Sequence, residues 1–294
     1  MDRNERLKKF VAKEMAGIEC GPWKSPLCPK NDGYNCFVLD VFSTNELLQR
    51  AQSFNMPDSE RALIEPVDLV GSAQDIFELA SPSFGSCEFD YVISSHNFEH
   101  IPNPIKFLIG CGKLLRPTGV VSMAIPIKNY CFDALRELSR VSDLLAAYAE
   151  ERIMPSNEQV FDHLSSYVEF NGATGNRCWF TRSESLRNLI PSRSLSSAHR
   201  TYLDRLTSIS PGYLDVHCWT FTPKSFELIM HTLWLLGVIP LRIIDISDDI
   251  GCEFIAHLSN SGYNLSEISC EDYHHLHQLK IESIKFNSFA FNYD

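Results

Sequence analysis

The chain reads as an α/β protein on a doubly wound, mostly parallel sheet, and three observations point there. The run Phe89-Asp90-Tyr91-Val92-Ile93-Ser94-Ser95 is β-branched and aromatic between small residues, the pattern of a buried strand ending in a polar loop. An interrupted apolar pattern from Ile101 to Leu115 suggests a helix, with Asn97 offered as its N-cap. After the turn Arg116-Pro117-Thr118-Gly119, the stretch Val120 to Pro126 reads as a second strand. Together these make a βαβ unit, which implies parallel pairing. Ligands of open parallel sheets sit beyond the carboxyl ends of the strands, so Ser94 to His100 is placed for chemistry.

The remaining elements follow in order. Leu7, Phe10, Val11 and Met15 suggest a short amphipathic helix within the first sixteen residues. Gly17 to Cys20 is a short strand that breaks at Gly21-Pro22, and Cys36 to Phe42 is a buried strand interrupted by Asp40. A lone carboxylate there is costly to bury, so Asp40 is expected to face a ligand. Ser43 and Glu46 fit a capping box for a helix to Ser53. Ala62 to Val70 reads as a third strand, peripheral because Pro66 removes a ladder donor. Residues 127–215 break the rhythm and are expected to form an inserted helical cap, with helices over Phe132 to Glu150 and Gln159 to Phe170. Thr222-Pro223 starts a helix through Leu236, and Leu241 to Ile246 with Cys252 to Leu258 close the sheet. The division expected is one domain over 1–261 with its cap at 127–215, then an extension over 262–294. Phe286, Phe289, Phe291 and Tyr293 of that extension suit packing back on the body.

A chain of 294 residues buries a substantial core. Its formal net charge of −11 and lack of a basic stripe argue against a grip on nucleic acid. The ten cysteines are scattered without a CxxC pair, and MDRNERLKKF has no apolar signal region, so free thiols in a reducing cytoplasm are expected. Gly237 and Pro240 split the most apolar segment, Phe226 to Ile244, into pieces too short to span a membrane.

Two stretches carry candidate chemistry on their own. His96-Asn97-Phe98-Glu99-His100 matches the H-x-x-E-H pattern of zinc peptidases. That chemistry needs both imidazoles on one helical face and a third ligand. His96 directly follows a strand, so the two rings need not converge, and no metal is expected; Glu99 and His100 read as first-turn capping and packing. Asp162 beside His163 in the cap could supply a base. His217 and Trp219 precede the last long helix, where they line a pocket or brace the cap.

Glu19-Cys20-Gly21-Pro22, Asp40, Phe89-Asp90-Tyr91, Ser95 to His100, Leu115 to Gly119 and Trp219-Thr220-Phe221-Thr222-Pro223 recur in a recognisable order. Over Gly17 to Leu258 the chain thereby resembles the S-adenosylmethionine-dependent methyltransferases with a Rossmann-like fold. Its nearest likeness is to the type 11-like group that opens with an E-x-G-P glycine loop and is often met in surface-glycan synthesis. The resemblance implies a seven-stranded sheet with a closing antiparallel strand and S-adenosyl-L-methionine as cofactor. It places Glu19, Gly21, Asp40, Ser95 and His96 about the cofactor, and the loop holding Ser72, Ala73 and Gln74 along the adenine. Ser72 stands where the family carries an acid, so that contact passes to Gln74 or Asp75.

The expectation is a cytoplasmic methyltransferase acting on an oxygen or nitrogen of a small polar acceptor, with a sugar suggested by the family's habits alone. His96 is the first choice of base, and His163 with Asp162 the second. One alternative is a non-catalytic protein that binds the same cofactor. A nicotinamide-dependent oxidoreductase is the other, disfavoured because no G-x-G-x-x-G follows the first strand.

Overall fold

Seven strands in the order β3-β2-β1-β4-β5-β10-β9 form the central sheet of the computed structural model. The structure describes residues 2–86, 88–172, 175–181, 184, 186–209 and 212–289, without the side chains of 248–250 and 288–289. β1 (Ala16–Cys20), β2 (Asn35–Asp40), β3 (Leu69–Val70), β4 (Phe89–Ser95) and β5 (Leu115–Pro126) are all parallel. β10 (Glu253–Asn260) closes the sheet antiparallel to both β5 and β9 (Leu241–Ile250). This is the expected mostly parallel seven-stranded α/β sheet with an antiparallel closing strand.

Both faces are covered, as parallel strands require. On one face α4 (Ile76–Phe84), α5 (Pro104–Leu114) and α9 (Pro223–Leu235) enclose a core that includes Phe98, Phe107, Phe221, Phe226 and Phe254. On the other, Leu7, Val11 and Met15 of the amino-terminal segment pack with Tyr91, Ile93, Ala124 and Ile255. Gly17 permits this packing: an added Cβ would lie 2.1 Å from Cζ of the Tyr91 ring.

Local signals place several boundaries where the sequence suggests. α2 (Thr44–Ser53) starts at the Ser43/Glu46 capping box, and α9 starts at Thr222 with Pro223 in its first turn. Other boundaries differ for identifiable reasons. α1 is only Arg3–Leu7, and β3 only two residues at the sheet edge, where Pro66 prevents a longer ladder and the short α3 (Asp58–Arg61) precedes it. α5 is capped by Asn103, whose Oδ1 accepts the Lys106 N–H at 3.1 Å, and not by Asn97. Pro104 sets the start, because proline suits the first helical position and disfavours helix in the residue before it.

The stretch 127–215 holds more than helices. α6 (Val141–Ala149), α7 (Asn157–Ser165) and α8 (Leu195–Thr207) accompany a three-stranded antiparallel sheet of β7 (Gly175–Arg177), β6 (Val168–Gly172) and β8 (Leu189–Pro191). Both expected helices there are shorter, since α7 begins at its own Ser156/Gln159 capping box and the chain turns into β6 before Phe170. α10 (Cys270–Phe289) lies along α9 and is pinned by Lys224 to Glu282 at 3.2 Å. Phe291 and Tyr293 lie outside the described residues. Every cysteine among the described residues is a free thiol, and no described helix is long and apolar enough to cross a membrane.

Candidate active site

The sheet order reverses at β1, whose neighbours are β2 and β4, and at such a switch point the loops diverge and leave a crevice. Here the crevice is a groove of about 700 Å³. Gly21, Asp40, Ala73 and His96 line it, joined by Asn97, His100, Tyr213 and Asp215.

Each wall has a local cause. Gly21 turns at φ +62, where a side chain would be strained, and an added Cβ would stand 3.2 Å from Nδ2 of Asn97. Its N–H donates to the Leu39 carbonyl at 2.8 Å, which ties the loop after β1 to β2. Glu19 is turned away from the groove. Its carboxylate, 2% exposed, accepts the N–H groups of Leu27 at 2.8 Å and Cys28 at 3.0 Å and so shapes the same loop. Burial pushes its pKa up to about 7, against the opposing effect of those two amides. Asp40, at the end of β2, accepts the Phe42 N–H at 3.0 Å through Oδ1; burial raises its pKa and these backbone bonds lower it. Its carbonyl accepts the Gly71 N–H at 2.9 Å, which brings the Ser72–Ala73 loop to the groove.

Of that loop, Ala73 alone lines the groove. Gln74 is buried on the helical side, in a second cavity with Asn103 and Lys106, and its Oε1 has no partner among the described residues. Ser72 precedes the 3-10 turn Ala73–Asp75 without capping it. Ser95 is also engaged elsewhere, its Oγ accepting from Arg3 Nη2 at 2.7 Å. Two buried oxygens near the strand ends, Ser94 Oγ and Asn97 Oδ1, have no hydrogen-bond partner among the described residues.

His96 leaves β4 at φ +50, an uncommon conformation for a non-glycine residue that is kept only where the surroundings enforce it. Its N–H is held by the Ala124 carbonyl at 3.0 Å. Nε2 stands 2.7 Å from Glu253 Oε2, and Nδ1 stands 3.7 Å from Glu99 Oε1. Burial would raise the Glu253 carboxyl, but His96 and Arg3 outweigh it and hold it below the ordinary range. The turn Phe98–His100 is a 3-10 turn fixed by buried Phe98, so Glu99 and His100 are not first-turn residues of α5. Instead, both project into a polar cluster.

That cluster is completed by residues that follow β5 in the chain. Glu99 is 1% exposed, and its Oε1 lies 3.9 Å from His100 Nε2 and 3.8 Å from His217 Nε2. His217 Nδ1 bonds Asp133, which also takes Arg136 at 2.8 Å. Burial works to raise Asp133, but His217 and Arg136 hold it well below the usual carboxylate range. His100 Nδ1 lies 2.9 Å from Asp215. Burial lowers the His100 imidazole, yet Asp215 and Glu99 leave its pKa above the ordinary value.

Asp162 and His163 face different surroundings. They are consecutive on α7 and point to different neighbours. His163 Nδ1 accepts the His217 N–H at 3.4 Å, and burial pushes its pKa down to about 4. Asp162 lines a separate cavity with Arg140 and Glu158. Asn97 is read from the sequence as a helix cap and not as a wall of the groove, and Tyr213, Asp215 and Asp133 carry no sequence signal at all. For the last three, no local pattern reveals which strand end a loop from the cap will reach.

No family model matches the chain, and no curated protein does. Among solved structures it is similar to a putative S-adenosylmethionine dependent methyltransferase from Listeria monocytogenes, at 12% identity over 87% of this chain and 96% of that one, with a TM-score of 0.43. A SAM-dependent methyltransferase from Methanosarcina mazei matches at 10% identity over 90% and 100%, with a TM-score of 0.42. A putative Zn-dependent alcohol dehydrogenase from Rhodobacter sphaeroides matches at 11% identity over 88% and 89%, with a TM-score of 0.41. At these scores the likeness adds nothing to the topology described above, and the site's chemistry rests on its own residues.

Proposed function

We propose that the chain is a cytoplasmic methyltransferase that binds S-adenosylmethionine in this groove and methylates an oxygen or nitrogen of a small polar acceptor, a carbohydrate being the class to test first. The observation that carries the reading is the groove at the β1 switch point, where Gly21 at φ +62 and the Asp40 carboxylate face one space. The residues suit the cofactor. A carboxylate at the end of β2 accepts from two ribose hydroxyls, a glycine turn admits a close backbone approach, and the unpartnered Asn97 oxygen seeks a donor. When bound, the cofactor supplies a sulfonium-activated methyl group, so the chain's work is to hold the acceptor in line.

His96 is the base in this reading. Glu253 accepts from Nε2–H and so fixes the tautomer that leaves a lone pair on Nδ1. His163, buried and without Asp162 at its side, is demoted. Residues 1–261 form the catalytic domain, and 127–215 form its cap, which brings Tyr213 and Asp215 to the groove; 262–294 is an extension.

Titration calorimetry with S-adenosylmethionine, its demethylated product and NAD tests the reading. Binding of the first two and not of NAD is expected; binding of NAD alone would overturn it. Cofactor binding without transfer to any oxygen or nitrogen acceptor would leave a binding protein in place of an enzyme.

A further inference from the structure

Three imidazole nitrogens meet at one oxygen of the buried Glu99 carboxylate. Each of three imidazoles presents its outer nitrogen to a carboxylate: His96 Nε2 to Glu253 at 2.7 Å, His100 Nδ1 to Asp215 at 2.9 Å, and His217 Nδ1 to Asp133. For His96 and His217 these hydrogen bonds set the tautomer, placing N–H outward and a lone pair inward, whereas His100 Nδ1 stands near Asp215 without a hydrogen bond. The inward nitrogens stand 3.7, 3.9 and 3.8 Å from one oxygen of Glu99. Neither oxygen of this buried carboxylate has a hydrogen-bond partner among the described residues. Lone pairs facing an unpaired buried carboxylate repel one another, and a cation between them satisfies all at once.

We propose that Glu99, His100 and His217 form a site for a zinc-class divalent cation. Their ligand atoms lie within 4.8 Å of one another. Donors around a tetrahedral ion with bonds of about 2.0–2.1 Å stand roughly 3.3–3.4 Å apart, so closing on an ion asks for small side-chain movements. Two imidazoles with one carboxylate select a borderline metal over magnesium or calcium, which prefer all-oxygen shells. The outer carboxylate Asp133, bonded to His217 Nδ1, plays the part that orients a metal-bound histidine. The backbone pre-sets the geometry, since the N–H groups of Cys218 and Trp219 donate to the Glu99 carbonyl at 2.8 and 3.2 Å. This clamps the segment carrying His217 onto the turn carrying the other two ligands.

Three protein ligands would leave a fourth position open, and one of the three, His100, also lines the groove. His96 Nδ1 lies 3.7 Å from Glu99 Oε1, and its role as base rests on the methyltransferase reading; the metal site itself does not.

The test uses the full chain, untagged and stripped of metal, with Zn²⁺ and Co²⁺ as probes. One ion per chain is expected by competition with a chromophoric chelator, and Co²⁺ should show the visible absorption of a four- or five-coordinate site. Glu99→Gln and His217→Asn should each abolish stoichiometric binding, and Asp133→Asn should weaken it about 10- to 100-fold. His96→Ala should keep the ion. Absence of stoichiometric metal in the wild-type chain, or binding unchanged in Glu99→Gln, would overturn the site; metal lost in His96→Ala would make His96 a fourth ligand and overturn the open position. Should a ligand variant fail to fold, the Co²⁺ spectrum of the wild-type chain decides alone. Calorimetry with S-adenosylmethionine on the stripped chain keeps the two readings apart, since either can fail while the other stands.

Discussion

His96 Nε2 stands 2.7 Å from Oε2 of Glu253, so the residue that leaves β4 is held by the residue that opens β10. Glu253 also takes Arg3 Nη2 at 2.9 Å, and Arg3 reaches on to Ser95. The amino-terminal helix therefore braces the imidazole from behind the sheet. If His96 is the base, His96→Ala should lower kcat about 10²–10⁴-fold while cofactor affinity stays near wild type. Glu253→Gln should lower kcat by less, without raising acceptor KM, because the ring remains but its tautomer is no longer held. A loss confined to KM would show that His96 only positions the acceptor.

Asp40 should matter to the cofactor and not to the acceptor. Removing hydrogen bonds to a charged group costs about 1.5–3 kcal/mol each, less what water restores, or roughly 10- to 150-fold in Kd. Asp40→Ala should weaken S-adenosylmethionine and its product together in calorimetry. Wild-type affinity in the variant would take Asp40 out of the site.

What could be read from the sequence was local. The capping box at Ser43, the helix start at Thr222-Pro223 and the strand over Phe89–Ser95 depend on near neighbours, and the structure has them where the pattern put them. Asp40 stood out because a carboxylate in an apolar run needs a reason. The cap's three-stranded sheet was hidden because its strands are short and partly exposed. The cluster at Glu99 was hidden for another cause. H-x-x-E-H implies a helix, whereas His96 at φ +50 and a 3-10 turn bring the rings together without one. Their partners His217 and Asp133 come from more than thirty residues away, a distance no spacing rule covers.

Gly17 should be intolerant of even one added methyl group. The Cβ of Gly17→Ala would fall 2.1–2.4 Å from three atoms of the Tyr91 ring, itself fully buried under the amino-terminal segment. Overpacking of this kind costs about 1–3 kcal/mol, or more where the ring cannot move. Denaturant unfolding should show that loss, and the double variant Gly17→Ala/Tyr91→Leu should recover part of it. Additive losses would mean the two sites do not touch.

Glu19 should make stability fall as pH rises through the neutral range. Its carboxyl is buried, and burial pushes its pKa from 4.5 up to about 7. A folded-state pKa above the unfolded value means that the native chain holds this proton more tightly, so the group favours folding at low pH. That contribution is complete below the unfolded value near 4.5 and is lost as pH rises to about 7, above which the cost is constant. The span corresponds to about 3 kcal/mol for a group this buried. Glu19→Gln cannot ionise and should lack the slope, although its amide keeps only one oxygen for the two N–H groups of Leu27 and Cys28. Denaturant unfolding of both proteins at pH 5 and pH 8 is the measurement. The gap between wild type and variant should shift by about 2.5 kcal/mol against wild type at the higher pH, the rest of the span being lost already at pH 5. Parallel pH profiles would show that Glu19 ionises as freely in the folded chain as in the unfolded one, and that its two amide bonds offset its burial.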